Sequence, residues 1–222
     1  MTLVEAAVES IEGALAAVRA GADRIELCVN LDAGGTTPSA VLIAAVARDM
    51  RIPVFVLIRP RAGDFVYTRK EIDAMTRDIE LAASMGVAGI VTGALSPDST
   101  VNVEQTRTLV KAAAGLPVTF HRAFDSAANL SEALERVIDA GASRVLTSGG
   151  AATAEEGADA IASLVGQAGE RISIVAGGSI REHNVRDVIA RTGASEVHSR
   201  LVSEARMRNL IDVVRRADSG SD

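Results

Sequence analysis

Glu26, Arg59 and His121 are the residues of this sequence best suited to moving a proton and holding an anion. A carboxylate serves as a general base, an imidazole as the acid that returns the proton, and a guanidinium clamps a carboxylate or phosphate bidentately. The three stand in polar strings that each follow an apolar run of strand length: Glu26-Leu27-Cys28-Val29-Asn30, Arg59-Pro60-Arg61-Ala62-Gly63-Asp64-Phe65 and His121-Arg122-Ala123-Phe124-Asp125. Thr147-Ser148-Gly149-Gly150, Gly177-Gly178-Ser179 and His198-Ser199 close later runs in the same way. Glu5, Asn30, Arg61, Asp64, Arg122, Asp125, Ser148, Gly149, Gly177, Gly178 and His198 make up the candidate substrate-binding set around them. Gly177-Gly178-Ser179 leads into a helical pattern carrying His183, and backbone N–H groups at such a place point at an anion. Ser148-Gly149-Gly150 could form a second cradle, although paired glycines also arise from tight turns alone. His121 and His198 fit acid–base or metal-ligand roles, or those of hydrogen-bonded structural imidazoles. His183 reads as a surface residue. Cys28 reads either as a small buried hydrophobe or as one thiolate ligand. The only lysines, Lys70 and Lys111, fall on helical patterns, which excludes a Schiff-base aldolase mechanism.

These strings need elements to hold them together. Strands are expected at Leu3 to Val8, Arg24 to Cys28, Val54 to Ile58, Gly89 to Thr92, Val118 to Phe120, Arg144 to Thr147, Ser173 to Ala176 and Glu196 to His198. Amphipathic stretches lie between them, with capping-box spacings at Thr68/Glu71, Asn102/Gln105, Thr153/Glu156 and Ser179/Glu182. Dividing 222 residues by eight gives about 28 per unit, close to one βα unit. A weak repeat supports this: Gly21, Gly86, Gly141 and Gly193 each open a turn into the second, fourth, sixth and eighth strands. Pro53 and Pro117 open the third and fifth. Eight near-equal units favour a single-domain α/β fold, the closed (β/α)8 TIM barrel, over an open doubly wound sheet. The domain spans 1–217, with 218–222 a frayed tail.

In a barrel, chemistry sits where strands end and βα loops begin. Period-two alternation turns Glu5 with Ala7, and Glu26 with Cys28 and Asn30, toward the barrel axis. Two buried carboxylates demand a cation, for which Arg59 is the first candidate and Arg61 or Arg122 could assist. The result reads equally as a structural Glu–Arg network and as a functional site. The five aromatics, Phe55, Phe65, Tyr67, Phe120 and Phe124, all belong to strands three and five or their loops, which places bulk on one side of the mouth.

Composition narrows the partners. A net charge of -6 argues against nucleic-acid and anionic-membrane surfaces. No apolar run approaches the ~18 residues of a membrane span, and MTLVEAAVES lacks the basic and apolar regions of a leader. The single cysteine precludes an intrachain disulfide and a cysteine-based zinc site. A soluble, reducing, cytoplasmic setting is expected.

The sequence resembles the CutC family of copper homeostasis proteins. The resemblance is carried by Ala22-Asp23-Arg24-Ile25-Glu26-Leu27-Cys28, Gly34-Gly35-Thr36-Thr37-Pro38-Ser39, the run Ile58 to Tyr67, the run Pro117 to Asp125, Arg144 to Gly150, and Val197-His198-Ser199. It implies a TIM barrel, a cytoplasmic location, association with copper(I), and self-association, for instance as a homodimer. The family commonly has a first-strand cysteine, proposed to bind copper with the one matched by Cys28; here Ala7 stands in its place. The chain after His198 is also short, so the last unit is expected to be trimmed. Copper(I) prefers two or more soft ligands, and Met1, Met50, Met75, Met85 and Met207 fall away from the expected rim. A copper site would enlist His121, His198 or a second chain's Cys28. Two functions follow: copper binding, or a lysine-independent lyase, isomerase or sensor for a small phosphorylated or carboxylated metabolite.

Overall fold

The computed structural model describes residues 1–220. Eight strands, β1 (Leu3–Val8), β2 (Arg24–Leu27), β3 (Val54–Leu57), β4 (Gly89–Thr92), β5 (Val118–Phe120), β6 (Arg144–Thr147), β7 (Ser173–Gly177) and β8 (Glu196–Arg200), pair in parallel in sequence order. β8 pairs back onto β1, with Glu5 opposite His198, so the barrel is closed. Eight helices surround it: α1 (Ile11–Ala20), α2 (Ala40–Asp49), α3 (Arg69–Ser84), α4 (Val103–Ala112), α5 (Leu130–Ala140), α6 (Ala158–Ala168), α7 (Val185–Thr192) and α8 (Glu204–Ser219).

Alternation sorts the strand residues into two cores. Val4, Ala6, Ile25, Val56, Ile90, Val145, Ile174 and Val197 pack outward against the helices, while Cys28, Phe55, Leu57 and Val91 form a separate cluster. All four turn glycines, Gly21, Gly86, Gly141 and Gly193, take φ between 66° and 94°, the left-handed region that lets each helix stop and the chain turn back to the sheet.

The structure revises four local expectations. The Thr68/Glu71 box forms in full, but no Ser179/Glu182 box does: Ser179 is left-handed (φ 56°), and α7 starts only at Val185. Asn184 instead accepts from Arg181 N, and Glu182 is drawn away by Arg206. His183 is exposed in the turn before α7 rather than in its first turn. The last unit is not trimmed in its helix: β8 and α8 are joined by a short loop, residues 201–203, and α8 has 16 residues. Nor is 218–222 a frayed tail from its start. Helix α8 runs through Ser219, and Asp218 accepts from the backbone N and hydroxyl of Thr2; residues 221–222 lie outside those described.

Candidate functional site

A cavity of about 440 Å³ opens at the carboxyl ends of the strands, lined by Glu26, Leu57, Arg59, Phe65, His121, Arg122, Leu146, Gly178, Ser179, Ile180, Arg181, His198 and Arg200 among others. Its floor is charged. Glu5 of β1, Glu26 of β2 and His198 of β8 project inward from neighbouring strands, with ligand-type atoms all within 4.8 Å of one another. Glu5 Oε1 lies 2.6 Å from His198 Nδ1, and Arg24 Nε donates to Glu5 Oε2 at 2.5 Å. Burial alone would raise the Glu5 carboxyl; the His198 hydrogen bond and the Arg24 charge more than offset it and hold it at about 2. His198 has the opposite balance: burial opposes its charge, but Glu26 and Glu5 raise its pKa above the ordinary value. Glu26, buried and with Oε2 unpartnered, is pushed up to about 7 chiefly by desolvation. Glu5 therefore orients His198, while Glu26 exchanges its proton near neutral pH. Proton-transfer chemistry wants this pairing of environments.

The cation beside the carboxylates is not Arg59. Arg24 bridges Glu5 and Glu196, and Arg144 stands 3.5 Å from Glu196. Both guanidiniums lie over the Phe55 ring, 4.9 and 4.6 Å from its centroid. Phe55 is thus deep in the barrel rather than at its mouth. The signal was present: Arg24 and Glu196 have the parity of Glu26 and His198, so alternation already turns them inward. Arg59 is buried, with Nη1 donating to the carbonyls of Ala33, Gly34 and Gly35 and Nη2 to that of Gly63, while its Nε has no partner. It staples two loops together.

Other expected ligands are likewise structural. Arg61 binds Glu71 and the carbonyls of Asp64 and Val66, and Asp64 is a surface residue of the same loop. Asn30 is exposed and donates to Thr36. The Ser148-Gly149-Gly150 cradle does bind a carboxylate, but the chain's own. Asp125 accepts from the N–H groups of Ser148 and Gly150, from the Thr147 hydroxyl and from Arg122. Cys28 is buried beside Leu57 and Phe55, its thiol raised by burial and by the nearby charges of Glu26 and Glu9.

The loop after β7 is different. Among the described residues, no hydrogen bond is donated by the backbone N–H of Gly178, Ser179 or Ile180, and Gly178 and Ser179 have φ of 109° and 56°. Successive amides in such a conformation form an anion-binding concavity. Arg181 Nη1 is held alongside by Ser199 Oγ and the Ile180 carbonyl. His121 faces the cavity from the end of β5. Its Nδ1 accepts from Ala123 N at 3.2 Å, its Nε2 is unpartnered, and burial and then the Arg59 charge hold it neutral, at about 3. A general-acid role, which needs imidazolium, does not fit it.

These features define a (β/α)8 barrel protein with a buried carboxylate–imidazole cluster in its mouth. The chain belongs to the CutC family, whose model matches residues 2–203. A CutC family protein of Xanthomonas campestris is 48% identical over 196 residues, covering 88% of this chain and 82% of that protein. A counterpart from Caulobacter vibrioides is 45% identical with 88% and 80% coverage. The solved structure of a protein described as the copper homeostasis protein CutC from Streptococcus agalactiae superposes with a TM-score of 0.84 at 32% identity, covering 89% of this chain and 98% of that one. The phosphoribosylanthranilate isomerase of Thermotoga maritima, 14% identical with a TM-score of 0.64, shares the fold. No helix among the described residues is long and apolar enough to cross a membrane.

Proposed function

We propose that the barrel mouth is an acid–base catalytic site for a small phosphorylated or carboxylated metabolite. The observation that carries this reading is the opening of Glu26, His198 and the undonated amides of Gly178 to Ile180 onto one cavity. Glu26 and His198 exchange the proton, Glu5 fixes the His198 ring, and the β7–α7 loop with Arg181 holds the anion. Lys70 and Lys111 are exposed on α3 and α4, so the reaction runs without a lysine imine. The thermal shift given by inorganic phosphate and by oxalate tests the anion site. A ligand at 100 Kd adds about 2.7 kcal/mol to stability. Absence of any shift with either anion would sink this reading.

The name of the Streptococcus agalactiae relative points to copper, but the donors of this chain do not fit copper(I). Cys28 is its one cysteine, enclosed by apolar side chains, and no methionine lines the cavity. The Glu5–Glu26–His198 set offers oxygen and nitrogen, and both Glu5 oxygens are already engaged by Arg24 and His198. Soft Cu(I) wants sulfur from at least two residues.

A further inference from the structure

We propose that His121 is a catalytic residue that donates a hydrogen bond from a neutral imidazole to an enolate oxygen, so that the substrates are anionic carbonyl compounds with a removable proton beside the carbonyl. This rests on the acid–base reading above and adds the reaction class to it. Three observations carry it. First, Nδ1 of His121 accepts the Ala123 N–H that opens the short 3₁₀ turn Arg122–Ser126, so Nδ1 has a lone pair and the proton belongs on Nε2. Second, that Nε2 is buried without a partner, on a ring that lines the cavity. A buried N–H left unmatched costs stability and calls for an acceptor. Third, the ring cannot swing away. Phe65 and Phe120 lie 5.0 and 6.0 Å from its centroid, and a Cβ at Gly93 would come within 3.0 Å of Nδ1, so Gly93 makes room for this placement.

Glu26 stands on β2 and His121 at the end of β5, three strands round the wall, so a small molecule in the mouth lies between them. The Glu26 carboxylate takes the proton from the carbon next to the carbonyl, and the C–H electron pair becomes the C=C bond. The carbonyl π pair moves to oxygen, whose negative charge accepts the Nε2–H of His121 without removing its proton. Glu26 then returns the proton to the same carbon, giving exchange. In an α-hydroxy carbonyl the hydroxyl proton of the enediolate passes directly to the neighbouring oxyanion, its own C–O becoming the new carbonyl as Glu26 protonates the former carbonyl carbon, giving isomerisation. Electrons and protons balance with no further reactant. A neutral imidazole suits this task because it stabilises the oxyanion and stays protonated throughout; an imidazolium would surrender its proton. Burial next to the Arg59 charge keeps it neutral.

The test has two arms. In protein labelled with ¹⁵N-histidine, assigned with a His121→Leu variant, His121 is expected to show the neutral Nε2–H form unchanged between pH 5 and 8. Titration in that range, or an Nδ1–H tautomer, would overturn the proposal. In deuterium oxide, proton NMR is expected to show exchange of the C–H protons of dihydroxyacetone phosphate or of pyruvate. That exchange should be abolished in Glu26→Gln, slowed about 100-fold or more in His121→Leu, and partly restored in His121→Gln, whose amide donates but cannot relay a proton. Phosphate or oxalate binding without exchange of either probe sinks the enolate step and leaves the anion site standing. Failure of both anions to bind sinks the site itself.

Discussion

Glu26 is the residue whose environment has the most measurable consequence. Its folded carboxyl is raised from 4.5 to about 7, so the native state binds a proton that the unfolded chain releases. The stability from this site is fully present below pH 4.5 and declines as pH rises through 7, by about 3 kcal/mol in total. Glu26→Gln removes the ionisation. Its melting temperature is expected to exceed the parent's at pH 8 and to converge with it near pH 4.5, while catalysis is lost at every pH; a constant offset across that range in calorimetry would contradict the assignment. Cys28 makes a second test. Enclosed and with its thiol raised, it should resist a thiol-specific disulfide reagent at pH 8 in the native state and react fully in denaturant. Rapid native labelling would reopen the ligand reading. Alternation made the inward carboxylates Glu5 and Glu26 legible in the sequence, and its place at a strand end did the same for His198. What stayed hidden was partner choice: the carbonyls that hold the Arg59 terminal nitrogens are loop backbone atoms, and sequence does not show where a carbonyl points.

At the scale of elements, the strand–helix rhythm was readable because each βα unit repeats the same problem, an outward apolar face to be covered and a turn to be made. The loops were less readable, because similar glycine pairs had opposite fates. Gly149-Gly150 wraps around Asp125, whereas Gly178 and Ser179 keep their amides undonated. The difference lies in Asp125, which sits 25 positions before Gly150 and reaches the cradle only once β5 and β6 are paired. Since it accepts several charge-assisted bonds at one spot, Asp125→Ala leaves the Thr147 hydroxyl and the Ser148 N–H buried and unmatched. A loss of about 2–4 kcal/mol is expected in urea unfolding, without a shift in the pH profile of exchange. A loss under 0.5 kcal/mol would show that the brace is not needed to hold the rim.

The whole molecule places its polar and apolar interiors in different layers. The helix–strand layer is apolar, but the barrel axis holds Arg24 and Arg144 over Phe55 with Glu5 and Glu196 paired to them, beside Glu26 and His198. Gly89, opposite Phe55 on β4, leaves the space its ring occupies. Such a network is weak evidence for stability, since desolvation offsets attraction, yet removing one member strands the rest and costs about 3–5 kcal/mol. Its position gives it a second effect. Arg24 is one of the charges that keep Glu5 ionised, and ionised Glu5 is one of the groups that raise His198. Arg24 also opposes the His198 charge directly, and Glu5 without it is still held down by the His198 hydrogen bond. Arg24→Met should therefore destabilise the barrel and raise the His198 pKa, whereas Arg144→Met, which touches Glu196 but not Glu5, should destabilise and leave the His198 titration in place. NMR titration of the labelled histidines in the two variants separates a charge effect from bulk loss of structure. Equal shifts in both would mean that the axis acts only as packing, and that the proton chemistry of the mouth is set by Glu26 and Glu5 alone.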